Sequence, residues 1–315
     1  MIARNTKTEA RIYKKTMSYK KQEYITSYLM IGMGLLGFLV FILYPNIWAL
    51  SKSLYYYSGI NSQTRFVGME NFLSAFTKDA TYWKAWITTI KFTVMKLPIE
   101  LPLALLLAVF LTKKLKGNGF FRALYYMPCV ISVAIVGVIF TNLFDYFGFI
   151  NAWLLKLHII SEEIDWFGNS STALWALVIG SVWNSFGVNV VYFISALSNV
   201  PEDIYEAAAL DGASKPVMFF KMTLPMIAPV LQTILLLSIT ATLKVGDYIL
   251  VTTNGAPGGD THTVMSYMVS KFVPGFAGGS VNIGYGCALS LITSIILALV
   301  ALGYSKLSEK MQNIY

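Results

Sequence analysis

The chain has 315 residues, of which 56% are hydrophobic and only 13% are charged, with a formal net charge of +8. Soluble domains carry about 25% charged residues, so this composition excludes an ordinary soluble protein. The two cysteines, Cys129 and Cys287, lie in apolar segments and are too few for a disulfide framework or a metal cluster. We therefore expect both to be small packing residues of a membrane protein.

Six apolar segments are long enough to cross a bilayer, which takes about 20 helical residues. They are residues 27–50, 87–112, 123–144, 172–197, 226–250 and 283–305. Backbone polar groups in lipid must be paired within their own segment, so these segments are helices. The sequence thus predicts an all-α integral membrane protein whose residues 27–305 hold six transmembrane helices. A basic tail of residues 1–26 precedes this domain, and a short tail of residues 306–315 follows it.

The positions of Lys and Arg predict the orientation of these helices. If the N-terminus is cytoplasmic, the two tails and the loops 113–122 and 198–225 lie inside and hold 15 Lys and Arg. The outer loops 51–86, 145–171 and 251–282 then hold six. Cytoplasmic segments are normally the Lys- and Arg-rich ones, so both termini are predicted to be cytoplasmic. The net charge then reflects topology, and we expect no nucleic acid as a partner.

The polar segment 198–225 between the fourth and fifth predicted helices must fold in water, because its charges would be very costly in lipid. Good helix formers lead to Gly212, which ends a first helix because Gly adopts a left-handed conformation cheaply. Ser214 is placed to cap a second helix. The Leu224-Pro225 pair is predicted to end that helix before the next span. We therefore expect a rigid helix-turn-helix that projects from the membrane.

Seven positions of this segment follow one pattern, Glu-Ala-Ala, then Asp-Gly, then Leu-Pro. They are Glu206, Ala207, Ala208, Asp211, Gly212, Leu224 and Pro225. The pattern resembles the coupling loop of permease subunits of ATP-binding-cassette importers, in the form typical of the carbohydrate branch. The likeness extends over about residues 25–305 and is closest to the maltose and multiple-sugar importer type.

Two outer segments also resemble that family, with two departures. Residues 66–71 read Phe-Val-Gly-Met-Glu-Asn, close to a stretch in the first outer loop of sugar permeases. Residues 254–257 resemble an Asn-Gly-Gly-Pro turn, but Ala256 replaces the second Gly and would be strained at a positive φ. Gly246 stands where the family usually has Phe. We also expect a short helix at 263–272 in the same outer loop.

The resemblance implies the type I importer permease fold, with the 206–212 helix transmitting the motion of a cytoplasmic ATPase. It implies a second homologous permease subunit, two copies of the ATPase and an external sugar-binding protein, in the cytoplasmic (inner) membrane of a bacterium. The sequence has no Gly-x-x-x-x-Gly-Lys-Ser/Thr phosphate loop, so this chain is not expected to hydrolyse ATP. ATP and Mg²⁺ would belong to the partner ATPase, and we expect no cofactor on this chain.

Polar side chains within the predicted spans mark a candidate substrate path, because such residues are costly in lipid. Lys244 and Asp247 are spaced to share one face of the fifth helix, and the resemblance implies sugar contact at those positions. Lys96 and Glu100 are spaced to pair with each other, which favours a structural role. The fourth span adds five further candidates: Trp183, Asn184, Ser185, Asn189 and Tyr192. The two aromatic ones are equally well interpreted as packing residues.

The lysines within the spans raise a sharper hypothesis about the solute. Lys91, Lys96 and Lys244 would favour an acidic saccharide such as a uronate, whose carboxylate gains charge-assisted hydrogen bonds from a cavity lysine. Asp247 and Glu100 weaken this hypothesis, because they are able to neutralise those lysines.

Other classes of function stay open on the sequence alone. A related importer for glycerol phosphate, amino acids or peptides would share the coupling loop. An ion-coupled secondary transporter would usually show internal repeats and broken helices in both halves, and the six spans show no convincing repeat. A membrane enzyme would need a nucleophile-base pair or a metal constellation, which the two histidines, His158 and His262, do not supply.

Overall fold

The computed structural model describes residues 23–59, 63–112, 118–273, 276 and 281–312. Most of the basic tail, the loop 113–117 and residues 313–315 therefore lie outside the described residues. The elements in chain order are α1 (Glu23–Lys52), β1 (Tyr55–Tyr56), β2 (Arg65–Phe66), α2 (Glu70–Thr77), α3 (Ala80–Leu111), α4 (Asn118–Val130), α5 (Val133–Leu143), α6 (Phe149–Lys156), α7 (Ser170–Ser198), α8 (Glu202–Leu210), α9 (Lys215–Leu243), α10 (Asp247–Thr252), α11 (Val264–Phe272) and α12 (Ile283–Gln312). The two short strands pair antiparallel, with Tyr55 opposite Phe66.

Within the described residues, five helices are single elements long and apolar enough to cross a membrane: α1, α3, α7, α9 and α12. A sixth crossing is formed by α4 and α5 if that bent pair counts as one span. The predicted all-α membrane fold is therefore confirmed. The short helix expected at 263–272 is also present, as α11, with Thr263 as its N-cap.

The third predicted span, 123–144, is not one straight helix. α4 and α5 meet at an angle of 93°. Pro128 in the last turn of α4 has no N–H to donate, which weakens the helix at this point. Asn184 of α7 donates its side-chain amide to the Pro128 carbonyl oxygen at 2.7 Å. The bend is therefore held by a contact with a helix that lies far away in the sequence.

The fifth predicted span, 226–250, ends too late, because α9 stops at Leu243. Just beyond that end, the carbonyl oxygen of Val245 accepts a hydrogen bond from the Thr263 hydroxyl at 2.6 Å. Gly246 lies against the start of α11, where an added Cβ would be 2.9 Å from the Cβ of Met265. The prediction that Lys244 and Asp247 share one helix face is therefore wrong.

The start of the fifth span was also predicted wrongly, because Leu224-Pro225 does not end a helix. α9 runs on from Lys215 through a π-helical turn at Phe219–Thr223. An equivalent turn at Leu39–Leu43 of α1 comes just before Tyr44-Pro45. In both helices the wide turn ends two residues before the proline, which has no N–H to donate. The proline is thus accommodated without a break.

The close approach at Gly246 makes a testable prediction. Gly246→Ala is expected to lower the thermal stability of the protein in detergent, because the added methyl group must displace α11; overpacking of this kind typically costs about 1–3 kcal/mol. Gly303→Ala in α12 is the matched control, since an added Cβ there meets no atom within 4 Å. Equal melting temperatures for the two variants would contradict close packing of Gly246 against α11.

The buried core lies mainly between α3 and α7, which pack against each other along much of their length. Phe92 of α3 and Leu177 and Phe193 of α7 are fully buried. α1 differs from the other long helices, because no residue in its most apolar stretch is buried within the chain. Its apolar surface must therefore be covered by lipid or by another protein chain.

The ends of α3, α11 and α12 are joined by one carboxylate. Asp79, the N-cap of α3, accepts hydrogen bonds from the Tyr82 backbone N–H at 2.9 Å and from the Tyr267 and Tyr285 hydroxyls at 2.9 and 2.6 Å. Burial, with the Asp79 carboxylate beside it, raises the pKa of Tyr267, which therefore stays a donor at neutral pH. The predicted outer loops are thus fixed to the bundle by a polar contact.

The turn at 254–257 does not strain Ala256. The positive φ angles fall on Asn254 (46°) and Gly255 (85°) instead. The His262 ring lies so close to Gly255 that a Cβ there would collide with it. Burial, with a smaller contribution from the positive charge of Lys271, lowers the pKa of His262, so its imidazole is neutral at pH 7.

Candidate functional site

A cavity of about 440 Å³ opens between α3, α7 and α9. Its volume lies within the range of about 300–1,000 Å³ that is typical of small-molecule sites. The polar side chains in its lining are Lys96, Glu100, Ser185, Asn189, Tyr192, Ser238, Thr240, Thr242 and Lys244, and the apolar ones are Val188, Leu237 and Ala241. Hydroxyl, amide and charged groups thus converge on one concave surface inside an otherwise apolar bundle.

Glu100 is the centre of the buried part of this site. Its side chain is 2% exposed, and its Oε2 lies 3.5 Å from the Lys96 Nζ. Its Oε1 accepts hydrogen bonds from the Ser185 hydroxyl at 2.6 Å and the Asn189 amide at 3.0 Å. The Ser238 hydroxyl of α9 donates to the side-chain oxygen Oδ1 of Asn189 at 3.1 Å. The predicted pairing of Lys96 with Glu100 is confirmed, and the pair belongs to a network that joins all three helices.

Lys244 enters the cavity from the end of α9. It is the C-cap residue of that helix, and its side chain is exposed. The described residues form two ion pairs, Lys84–Asp260 and Lys96–Glu100, and Lys244 takes part in neither. The lining therefore carries one positive charge that no side chain of the described part of the chain neutralises.

The structure brings together six of the nine predicted path residues: Lys96, Glu100, Ser185, Asn189, Tyr192 and Lys244. The other three lie elsewhere. Asp247 begins α10, beyond the break that ends α9. Asn184 bonds the Pro128 carbonyl oxygen, and the Trp183 ring packs 5.6 Å from that of Phe140. The part each side chain plays in transport stays a prediction.

Sequence reasoning missed the contribution of α9 before Lys244. Ser238 and Thr242 are buried and line the cavity. They are four residues apart and so share one face of the helix, whose neighbouring residues are mostly apolar. Two hydroxyls at this spacing in an apolar helix were the signal that could have found them.

The polar loop before α9 folds as a helix followed by a tight turn. At the end of α8 the Ala213 N–H donates to the Ala208 carbonyl and the Gly212 N–H to the Ala209 carbonyl. Gly212 has φ of +76°, so these bonds form the Schellman motif that commonly ends helices. The predicted stop at Gly212 is confirmed. Ser214 occupies the N-cap of the next helix, although its side chain makes no capping bond.

The residues of this loop differ in their exposure to solvent. Ala208 faces inward and is buried, whereas Glu206, Ala207, Asp211, Gly212 and Pro225 are exposed and Leu224 is half-buried. Leu210 is 90% exposed, although its side chain is large and apolar. An acidic and apolar surface on a short rigid helix is a shape suited to binding another protein.

The sequence pattern of one protein family, described as "Binding-protein-dependent transport system inner membrane component", matches residues 100–312. The chain belongs to this family. It is therefore a transport permease and an inner-membrane protein that crosses the membrane several times. The matched residues include the cavity lining from Glu100 onward and the whole polar loop.

Two relatives of the permease match along nearly its whole length. It is 30% identical to the lactose transport system permease protein LacF of Rhizobium radiobacter, over 90% of this chain and 94% of LacF. It is 32% identical to the arabinooligosaccharides transport system permease protein AraP of Bacillus subtilis (strain 168), over 89% of this chain and 88% of AraP.

A solved structure shares the fold of the permease. It is the crystal structure of a bacterial ABC transporter involved in the import of the acidic polysaccharide alginate. The two superpose with a TM-score of 0.78 at 19% sequence identity, over 92% of this chain and 96% of the other. The predicted fold class, a type I importer permease, is confirmed.

Proposed function

We propose that the permease is the transmembrane subunit of an ATP-driven importer that moves a sugar or oligosaccharide into the cytoplasm. The observation that carries this proposal is the cavity between α3, α7 and α9. Its hydroxyl and amide groups, with Tyr192 at one side, suit the hydrogen-bonding and ring surfaces of a saccharide. The relatives LacF and AraP, whose names specify lactose and arabinooligosaccharides, support the same class of solute.

The mechanism follows from the position of the polar loop next to α9. In our proposal the loop is cytoplasmic, and α8 docks in a groove of one ATPase subunit, with Glu206 as the partner of a basic side chain. Closure of the ATPase dimer on ATP and Mg²⁺ moves the loop. Because α9 runs from this loop to the cavity, the movement reaches the solute site and drives alternating access. An external binding protein delivers the solute to the opposite face.

A second homologous permease subunit completes the transport path in this proposal. Two features of the structure support it. The cavity is lined by this chain on one side and stays open on the other, and no residue in the most apolar stretch of α1 is buried within the chain. In a complex of two permease subunits and two ATPase subunits, the single polar loop of each permease would contact one ATPase subunit.

The proposal is tested by isolating the permease in mild detergent from its native host and identifying the chains that come with it. We expect an ATPase and a second permease, and we expect uptake of labelled saccharides by reconstituted vesicles to require internal ATP. Recovery of the permease alone, with uptake driven by a proton or sodium gradient, would favour a secondary transporter instead.

One contact predicts how motion enters α9. The hydroxyls of Tyr205 in α8 and Thr223, the last residue of the π-helical turn in α9, lie 2.8 Å apart, and Thr223 is buried. Tyr205→Phe removes this hydrogen bond, typically worth about 1 kcal/mol, and retains the ring. We expect fewer solutes transported per ATP hydrolysed in the reconstituted complex, with the complex still assembled. Tyr126→Phe, at an exposed tyrosine of α4, is the control; the same coupling ratio in both would contradict the role of this contact.

A further inference from the structure

The charges that line the cavity do not balance. Lys96 and Glu100 neutralise each other across 3.5 Å, which leaves Lys244 as the excess charge. Asp247, which the sequence offered as the counter-ion of Lys244, does not line the cavity. Lys91 lines a separate cavity with Lys84 and Asp260, so it does not contribute to this site. The part of the solute site that this chain forms therefore has a net charge of about +1.

The charged groups of the site also offer a solute more hydrogen-bond donors than acceptors. Glu100 Oε1 already accepts two hydrogen bonds, and the Oε2 is paired with Lys96. Most of its acceptor capacity is thus used within the protein. The 3.5 Å ion pair engages at most one of the three N–H donors of Lys96, and the ammonium of Lys244 has three more. The charged groups of the cavity consequently have donors available for a solute and few acceptors.

An ammonium group inside a membrane bundle is costly unless an anion or water satisfies it. A neutral sugar ring supplies hydroxyl oxygens, which accept hydrogen bonds but leave the charge uncompensated. A carboxylate supplies both a compensating charge and acceptors for charge-assisted hydrogen bonds, which are roughly twice as strong as neutral ones. The excess charge therefore selects for an anionic solute over a neutral one of the same size.

We propose that the transported saccharide is acidic, and that Lys244 holds a carboxylate of a uronate residue in the cavity, with Lys96 as a second donor. This inference rests on the proposed function, since it specifies the class of saccharide carried. Lys244 is then a specificity-determining residue, and the hydroxyls of Ser238 and Thr242 hold the sugar ring beside it.

The first test compares host cells that have or lack this chain. Both are given a hydrolysate of plant and algal polysaccharides that contains neutral and uronate-bearing oligosaccharides, and mass spectrometry follows which ones disappear from the medium. We expect the chain to be required for depletion of uronate-bearing species and not of neutral ones. Depletion of neutral species alone would overturn the inference and keep the proposed function. If no saccharide depends on the chain, both fail.

The second test uses the uronate oligosaccharide identified in this way. Lys244→Gln is expected to lower its uptake about tenfold, the loss expected for one charge-assisted hydrogen bond, while Lys244→Arg retains most of the uptake. Lys91→Gln, which removes a lysine outside the cavity, is the matched control and should transport normally. Assembly of each variant with its partner chains is checked by co-purification. Equal uptake by Lys244→Gln and Lys91→Gln would overturn the role of Lys244.

Discussion

Glu100→Gln is expected to destabilise the permease by about 3–5 kcal/mol, the typical result of removing one partner from a buried ion pair. The variant keeps the shape of the Glu100 side chain and leaves the ammonium of Lys96, whose side chain is 8% exposed, without a counter-charge. The Gln amide also replaces one of the two carboxylate oxygens by a donor, so the network with Ser185 and Asn189 loses an acceptor. The measurement is thermal unfolding of the purified protein in detergent.

The double variant Lys96→Met/Glu100→Gln separates charge from packing. Replacement of both members of a buried pair is often nearly neutral, so we expect most of the lost stability to return. Lys84→Met is the control, because Lys84 pairs with Asp260 at an exposed site where an ion pair contributes about 0–1 kcal/mol. A Glu100→Gln protein as stable as Lys84→Met would show that the buried charge is compensated in another way.

Gly212→Val is expected to reduce the affinity for the ATPase and the rate of transport about tenfold. Gly212 has φ of +76°, where an L-residue costs roughly 1–2 kcal/mol and a β-branched one is particularly strained. An added Cβ would meet no atom of this chain within 4 Å, so the defect should come from the turn and not from a clash within the permease. The measurements are ATPase recovery on the purified permease and uptake of labelled saccharide.

Gly212→Asn is the matched comparison, because Asn tolerates the left-handed conformation far better than Val does. If only the backbone conformation matters, the Asn variant should bind the ATPase nearly as well as the native chain. If both variants lose the ATPase but stay folded, the partner groove requires a bare backbone at this position. Normal binding by the Val variant would contradict the proposed docking role of the turn.

Local signals in the sequence predicted the local parts of the structure. The stop at Gly212 needs only the residues of one turn, since both Schellman bonds join atoms within six residues. The Lys96–Glu100 pair likewise follows from i,i+4 spacing on one helix. Long apolar segments identified the spanning helices because bilayer thickness sets their length.

The features that the sequence did not predict depend on contacts between segments that are distant in the chain. α9 ends close to two such contacts, the hydrogen bond from Thr263 to the Val245 carbonyl and the approach of α11 to Gly246. The sequence of residues 226–250 predicts neither contact. This break places Lys244 and Asp247 on different helices, and only Lys244 lines the cavity, so the charge of the cavity differs from the predicted one. The α4–α5 bend depends in the same way on Asn184 of α7. Proline was an unreliable guide, since Pro225 follows a π-helical turn without ending α9.

The open side of the cavity affects the stability of the permease subunit before it assembles with a partner. A permease subunit alone in the bilayer would present the Lys244 ammonium and the hydroxyls around it to lipid acyl chains, which solvate neither. Water drawn to that side would thin the bilayer locally and leave an orphan subunit less stable than an assembled one. We therefore expect the lone subunit to be degraded faster than the assembled one, which would tie the amount of permease to its partner.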